Sequence, residues 1–260
     1  MDMMRRGYVL TKSLGVGHSD LNLAISDEKA VHSGLVNLAK ARTAAATALV
    51  KWTTQEDNPA IRDIFARLAE LDNEHNAVQK EFSDRYEDYR RCFKAVRDSE
   101  KTLDRARKHR DDCATKLQKL HRDLERYNRK GDYGKVSTVE SEIIAAEQAN
   151  DVAEAEFQEK YRECEIIKVA KIKEGLSNVA NAYIEMAEKM VLVFSATKDL
   201  ASVLPDEPAH LTTEPVYEGG EAYSEEIVQS ARRALQEYQP QTPYSNSNAY
   251  ANDEYEDDGT

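Results

Sequence analysis

Between Pro59 and Gly131 the chain runs for 71 residues, Ala60 to Lys130, without a single Gly or Pro. At about 1.5 Å of rise per residue, one helix across this stretch extends on the order of 100 Å. That is far longer than an ordinary globular helix and predicts a coiled coil or a long bundle. Apolar residues recur in steps of three and four through Ile61, Ile64, Leu68, Leu71, Val78 and Phe82, drift by one at Tyr86, and continue through Tyr89, Phe93, Val96, Leu103, Ala106, Cys113, Leu117, Leu120, Leu124 and Tyr127. This is the pattern of one buried seam. His75, Glu100 and Arg110 interrupt it; such residues read as marks of register, or as points where a partner helix diverges.

One position along from the seam runs a row of cations, Arg90, Lys94, Arg97, Lys101 and Lys108, spaced to share one helical face. Arg105, Arg107, Lys108 and Arg110 thicken it. From Arg85 to Lys130 there are sixteen Lys or Arg against nine Asp or Glu, a surplus of seven in a chain whose net charge is −12. A solvated face with internal ion pairs would interleave its signs. A cationic island on an acidic chain favours a surface that binds something negative.

Charged residues are 32% of the chain and aromatics 7%, with ten Gly and six Pro, which favours helix over sheet. Cys92, Cys113 and Cys164 lie in helical patterns with no paired spacing, so they read as reduced packing residues of an intracellular protein. No phosphate loop, nucleophile motif or metal-ligand spacing occurs, so neither an enzyme nor a metal or cofactor site is expected. No apolar run reaches the 18 residues of a membrane span. The basic island lacks interleaved aromatics, and nucleic acid is not an expected partner.

Taken in order, residues 1–18 mix Arg5, Arg6 and Lys12 with Met3, Met4, Tyr8 and Leu10. This segment reads either as a disordered leader or as one that inserts shallowly at a membrane interface. Ser26-Asp27-Glu28 is a candidate cap for the first helix, of about 30 residues. Thr53 to Pro59 forms a turn. Lys130-Gly131-Asp132-Tyr133-Gly134-Lys135 reverses the chain, so a return helix from about Val136 to Leu204 folds back antiparallel, with Gly175 a candidate bend. The expected divisions are a helical domain over 19–204, a linker over 205–221, a short helix over 222–238, and an acidic, disordered tail over 239–260. Seams this long leave apolar surface that dimerisation would bury.

Several stretches resemble the eisosome core proteins, a fungal BAR-domain family. They are Asp84-Arg85-Tyr86-Glu87-Asp88-Tyr89-Arg90 followed by Lys94, Val96-Arg97-Asp98 and Glu100; Glu214-Pro215-Val216-Tyr217-Glu218-Gly219 with Glu221-Ala222, Ile227-Val228 and Ala234-Leu235; and Asp27-Glu28-Lys29 through Ala44-Ala45-Ala46 to Leu49-Val50-Lys51-Trp52. They are collinear over roughly residues 20–240. The resemblance lapses in a shorter N-terminal stretch, in the turn at 130–135, and at Gly220, where the family has Tyr.

The resemblance implies an all-α fold, a BAR-type antiparallel dimer of elongated three-helix coiled coils with a short C-terminal helix. It also implies a scaffold that self-assembles into lattices on the cytoplasmic face of the plasma membrane, with related family members as further partners. The implied ligand is phosphatidylinositol 4,5-bisphosphate, and the family's basic patch falls on Arg90, Lys94 and Arg97. With their neighbours Lys101, Arg105 and Lys108, these are the candidate lipid-binding residues. Met3, Met4, Arg5, Arg6, Tyr8, Leu10 and Lys12 are the membrane-insertion candidates. The alternative is a coiled-coil adaptor that binds protein partners without lipid.

Overall fold

The structure, a computed structural model, describes residues 18–204 and 217–240. The candidate insertion residues Met3 to Lys12, most of the linker, and the acidic tail lie outside them. Among the described residues there are four helices and no strand: α1 (Ser19–Thr53), α2 (Pro59–Lys130), α3 (Tyr133–Ser202) and α4 (Gly220–Glu237). The fold is all-α, as the periodicity predicts.

The helix boundaries follow local chemistry. Pro59 opens α2, where a missing N–H costs nothing, and the Asn58 carboxamide oxygen caps it by accepting the Ala60 N–H at 2.9 Å. The α2 helix ends at Gly131, whose backbone is left-handed (φ 69°), and α4 starts after Gly219 in the same conformation (φ 77°). The start of α1 differs from the expectation. Ser26, Asp27 and Glu28 do not cap it; they lie inside a helix that already begins at Ser19. The Glu28 carboxylate instead accepts a hydrogen bond from the Tyr86 hydroxyl of α2.

The chain forms two compact units, Met1–Asn37 with Ser83–Ala180, and Leu38–Phe82 with Asn181–Thr260. In the first, the seam residues Ile25, Tyr86, Val96, Leu103, Ala106, Ala153 and Cys164 are buried. Gly175 marks a close approach here, and α3 runs through it unbroken. A Cβ at that position would stand 3.2 Å from Cys92 Cβ and 3.3 Å from a Tyr89 ring carbon. A second cluster of Leu120, Val139, Ile143 and Ala146, flanked by Leu117, Leu124 and Tyr127, packs the hairpin below the turn.

In the other unit, α4 lays Val228 and Ala231 against Ile64 and Leu71 of α2 and Val193, Ala196 and Leu200 of α3. Polar ties hold it in register. Asp63 accepts hydrogen bonds from Tyr217 Oη at 2.9 Å and Ser224 Oγ at 2.5 Å. Arg232 bridges Glu70 at 3.0 Å and Glu74 at 2.8 Å. His75 is buried, its ring edge-on to Phe194 at 5.8 Å. Burial, reinforced by the nearby Arg42 charge, pushes its imidazole pKa down.

Candidate functional site

The cation row lies on α2, in the unit that contains Ser83–Ala180. Because α2 is unbroken there, the steps from Arg90 through Lys94, Arg97, Lys101, Arg105 and Lys108 keep all six on one side of the helix. Their exposure is graded. Arg90 is buried, Lys94, Arg97 and Lys101 are half-buried, and Arg105 and Lys108 are exposed. An outward-pointing Arg90 is therefore not what the fold provides: the side chain lies in the packed part of the bundle, forked onto Glu87.

Two carboxylates sit among these cations. Glu87 Oε1 lies 2.5 Å from Arg90 Nη2, 3.6 Å from Lys94 Nζ and 3.9 Å from Arg91 Nε. The hydrogen bond from Arg90, ahead of burial and the neighbouring charges, sets the Glu87 pKa below the usual carboxylate range. Asp98 Oδ1 lies 2.9 Å from Arg97 Nη2 and 3.5 Å from Lys101 Nζ. Burial pushes the Asp98 carboxyl up, but the hydrogen bonds and charges of Arg97 and Lys101 outweigh it and hold it below its ordinary value. Neither carboxylate is among the candidates drawn from the sequence. Their offset of three residues from Arg90 and Lys101 is the signal that could have found them. Arg105 and Lys108 have no ion-pair partner among the described residues.

The polar interruptions of the seam prove to be cross-links between helices. The His18 ring, just ahead of α1, stands between two α2 carboxylates, Nδ1 3.0 Å from Glu100 and Nε2 2.8 Å from Asp104. Lys168 of α3 reaches Glu100 at 3.2 Å. Arg110 lies over the Phe157 ring at 4.1 Å and 3.8 Å from Glu154. His18 thus lies against the same stretch of α2 that carries Arg97, Lys101 and Arg105.

No helix among the described residues is long and apolar enough to cross a membrane, and no group of His, Cys, Asp or Glu among them could hold a metal ion. The three cysteines are free, with Cys92 and Cys164 buried.

The described residues, strand-free and built of very long helices, one of them carrying a cationic row, define an all-α protein of the long-helix class. The sequence model described as "Eisosome component PIL1" matches residues 19–241, and the chain belongs to that family. It is 29% identical over 220 residues to the sphingolipid long chain base-responsive protein PIL1 of Saccharomyces cerevisiae, covering 84% of this chain and 60% of that protein. It is 27% identical to LSP1 of the same yeast, with the same coverage. A probable sphingolipid long chain base-responsive protein, pil1 of Schizosaccharomyces pombe, is 27% identical over 228 residues, covering 87% of this chain and 60% of that protein. The chain thus spans about 60% of the length of these curated relatives.

Proposed function

We propose that this chain is a peripheral, self-associating BAR-type scaffold that binds anionic phosphoinositide membranes through the α2 cation row. It would shape or stabilise furrows at the cytoplasmic face of the plasma membrane. One observation carries the reading: in a member of the eisosome family with a net charge of −12, five cations, Lys94, Arg97, Lys101, Arg105 and Lys108, share one side of one unbroken helix. Each cation held near an anionic leaflet contributes about 1 kcal/mol, less for Lys94, Arg97 and Lys101, which are shared with Glu87 and Asp98, so the row, doubled in a dimer, suffices for reversible binding. Arg can hold a phosphate through two parallel hydrogen bonds and Lys supplies a point charge, a mixture suited to phosphatidylinositol 4,5-bisphosphate. Met3, Met4, Arg5, Arg6, Tyr8, Leu10 and Lys12 are proposed as an inserting segment.

Self-association is supported by apolar side chains left on the surface of α3. In the first unit Ile166 and Val169 are 69% and 68% exposed, with Leu176 exposed one heptad beyond Val169. In the second, Ile184 and Val191 stand one heptad apart and exposed, and Leu49 and Trp52 of α1, three residues apart, are exposed too. A second copy is the proposed cover, in a homodimer that builds into lattices with itself or related family members.

The test is sedimentation with liposomes of graded phosphoinositide content, with negative-stain imaging of the pellets. The triple variant Arg97→Glu, Lys101→Glu, Arg105→Glu should lose binding while helix content and self-association persist. Unchanged sedimentation of the variant would remove the lipid role from this face, and a wild type that does not sediment at all would leave a coiled-coil adaptor. Arg90 is left out of that variant because reversing it would set two carboxylates together in a buried site.

A further inference from the structure

The turn that joins α2 to α3 holds one aromatic side chain out of the protein. Gly131 closes α2 in the left-handed conformation, and the Asp132 N–H returns to the Tyr127 carbonyl at 3.3 Å. Asp132 then caps α3: its carboxylate accepts the Lys135 N–H at 3.3 Å and its carbonyl the Val136 N–H at 3.0 Å. The Leu120, Val139, Ile143 and Ala146 cluster packs beneath. On this fixed base stands Tyr133, the first residue of α3. At 82% exposure its ring is the most open large hydrophobic side chain among the described residues.

The sequence flanking it is rich in cations. From Lys119 to Lys135 there are six Lys or Arg against three Asp or Glu. Lys130 is exposed, with no ion-pair partner among the described residues. Arg129 donates to the Glu125 carbonyl at 3.3 Å and has no ion-pair partner among the described residues. Lys135 is shared between Asp132 at 3.1 Å and the Tyr127 ring at 5.3 Å. Arg126 pairs with Asp123 at 3.0 Å and lies 4.9 Å from the Tyr127 ring centroid.

We propose that this turn is a second membrane contact, separate from the cation row: Tyr133 enters the interfacial layer of an anionic leaflet while Arg129, Lys130 and Lys135 face its phosphates. A Tyr ring is apolar in body and polar at its tip, which suits the headgroup boundary. Long cationic side chains beside it keep their charges at the phosphate level while their stems lie in the apolar zone. An apolar pocket on a protein partner would satisfy the ring but leave the cations unanswered. The anionic leaflet answers both, and an acidic chain approaches such a leaflet through its cationic regions. The contact does not depend on Arg97, Lys101 or Arg105.

The test introduces an indole by Tyr133→Trp in the full chain and reads the emission change relative to wild type, whose one Trp is Trp52. Vesicles of phosphatidylcholine with and without phosphatidylserine are the probe. A blue shift, with quenching by lipids brominated near the headgroup and only when phosphatidylserine is present, is the expected result. Tyr133→Ala should weaken sedimentation severalfold. Lys130→Ala with Lys135→Ala should weaken it about tenfold, less than two free cations would give because Lys135 is shared with Asp132. Helix content by circular dichroism should not change. An unshifted indole on protein that still sediments would overturn the contact, as would a chain that does not sediment at all. A shift that needs no lipid and grows with protein concentration would assign the turn to a second copy instead.

Discussion

The Arg90 guanidinium forks onto the Glu87 carboxylate one turn before it, Nε to Oε2 at 2.7 Å and Nη2 to Oε1 at 2.5 Å, with side chains 10% and 20% exposed. A cation that belongs by spacing to a binding row is thus a structural tie by geometry. The pair should be sensitive to truncation because removing one partner leaves the other largely buried and less well compensated. Arg90→Ala should lower stability by about 1.5–3 kcal/mol, read by denaturant unfolding with unchanged helix content beforehand.

The pH dependence of that pair has a definite sign. Glu87 titrates below its ordinary value in the folded protein, chiefly through the Arg90 hydrogen bond, so the unfolded chain binds the proton more readily. The stability from this group is therefore fully present above about pH 4.3 and is lost as the pH falls through the folded value. Glu87→Gln should flatten the acid limb of the stability curve, and a limb as steep as wild type would deny the pair its role.

Sequence periodicity reaches most of this architecture, because a Gly- and Pro-free run with steps of three and four has few ways to fold. The α2 limits, the reversal at Gly131 and the apolar face of α4 all follow from it. What it misses is set by tertiary partners. Ser26-Asp27-Glu28 has the composition of a helix cap, but Tyr86 of α2 holds Glu28 within a longer helix. Gly175 has the composition of a bend, but the space it provides is taken by Cys92 and Tyr89. In the cation row, spacing identifies the face, whereas burial separates Arg90 from Arg105 and Lys108. Burial depends on which helices pack beside α2, and a linear pattern does not contain that.

Gly175 yields a steric prediction. Ala there would gain about 1 kcal/mol of helix propensity but meet Cys92 and Tyr89 at 3.2–3.3 Å. A larger residue cannot be absorbed, so Gly175→Leu should cost about 1–3 kcal/mol by overpacking. Combining Gly175→Ala with Cys92→Ala should be more stable than the two separate effects predict. Simple additivity in urea unfolding would show that the two sites are not in contact.

The α4 helix should detach when its anchor on α2 is removed. Asp63 accepts from both Tyr217 and Ser224, and Ser224 is fully buried, so Asp63→Ala takes the acceptor from the Tyr217 hydroxyl and leaves Ser224 Oγ only the Glu221 carbonyl of its own helix, at 2.9 Å. About 2–4 kcal/mol of lost stability is expected, with amide exchange rising first in α4. Burial, then the hydrogen bond to Asp63, pushes the Tyr217 pKa up to about 12. A raised folded value means that this contribution is complete below about pH 10 and is lost as the pH rises through about 12. Ultraviolet titration of wild type against Tyr217→Phe should locate the missing tyrosinate step at the upper end of that window; its appearance near pH 10 would refute the anchor.

Asp98 gives the most direct reading of the cation row, because it is an internal competitor for the ligand proposed there. Its Oδ1 already occupies Arg97 at 2.9 Å and reaches Lys101 at 3.5 Å, so an incoming phosphate must displace a carboxylate before it can use either cation. The Asp98 side chain is 61% exposed, so the loss of its local ion pairs should affect stability little. Asp98→Asn removes the competing charge while keeping a side chain of nearly the same shape. Liposome binding should therefore strengthen about fivefold or more, one cation's share at an anionic leaflet, and the gain should shrink as salt is raised. Acidification should act on wild type in the same direction, because protonating Asp98 releases the same two cations. Because its carboxyl sits below the ordinary value near 3.9, that effect is confined to pH below about 4. Asp98→Asn should abolish it as well as the salt-sensitive gap between the two proteins. If Asp98→Asn instead bound like wild type at low salt, Arg97 and Lys101 would not be the groups that meet the phosphate, and the contact would shift along α2 to Arg105 and Lys108.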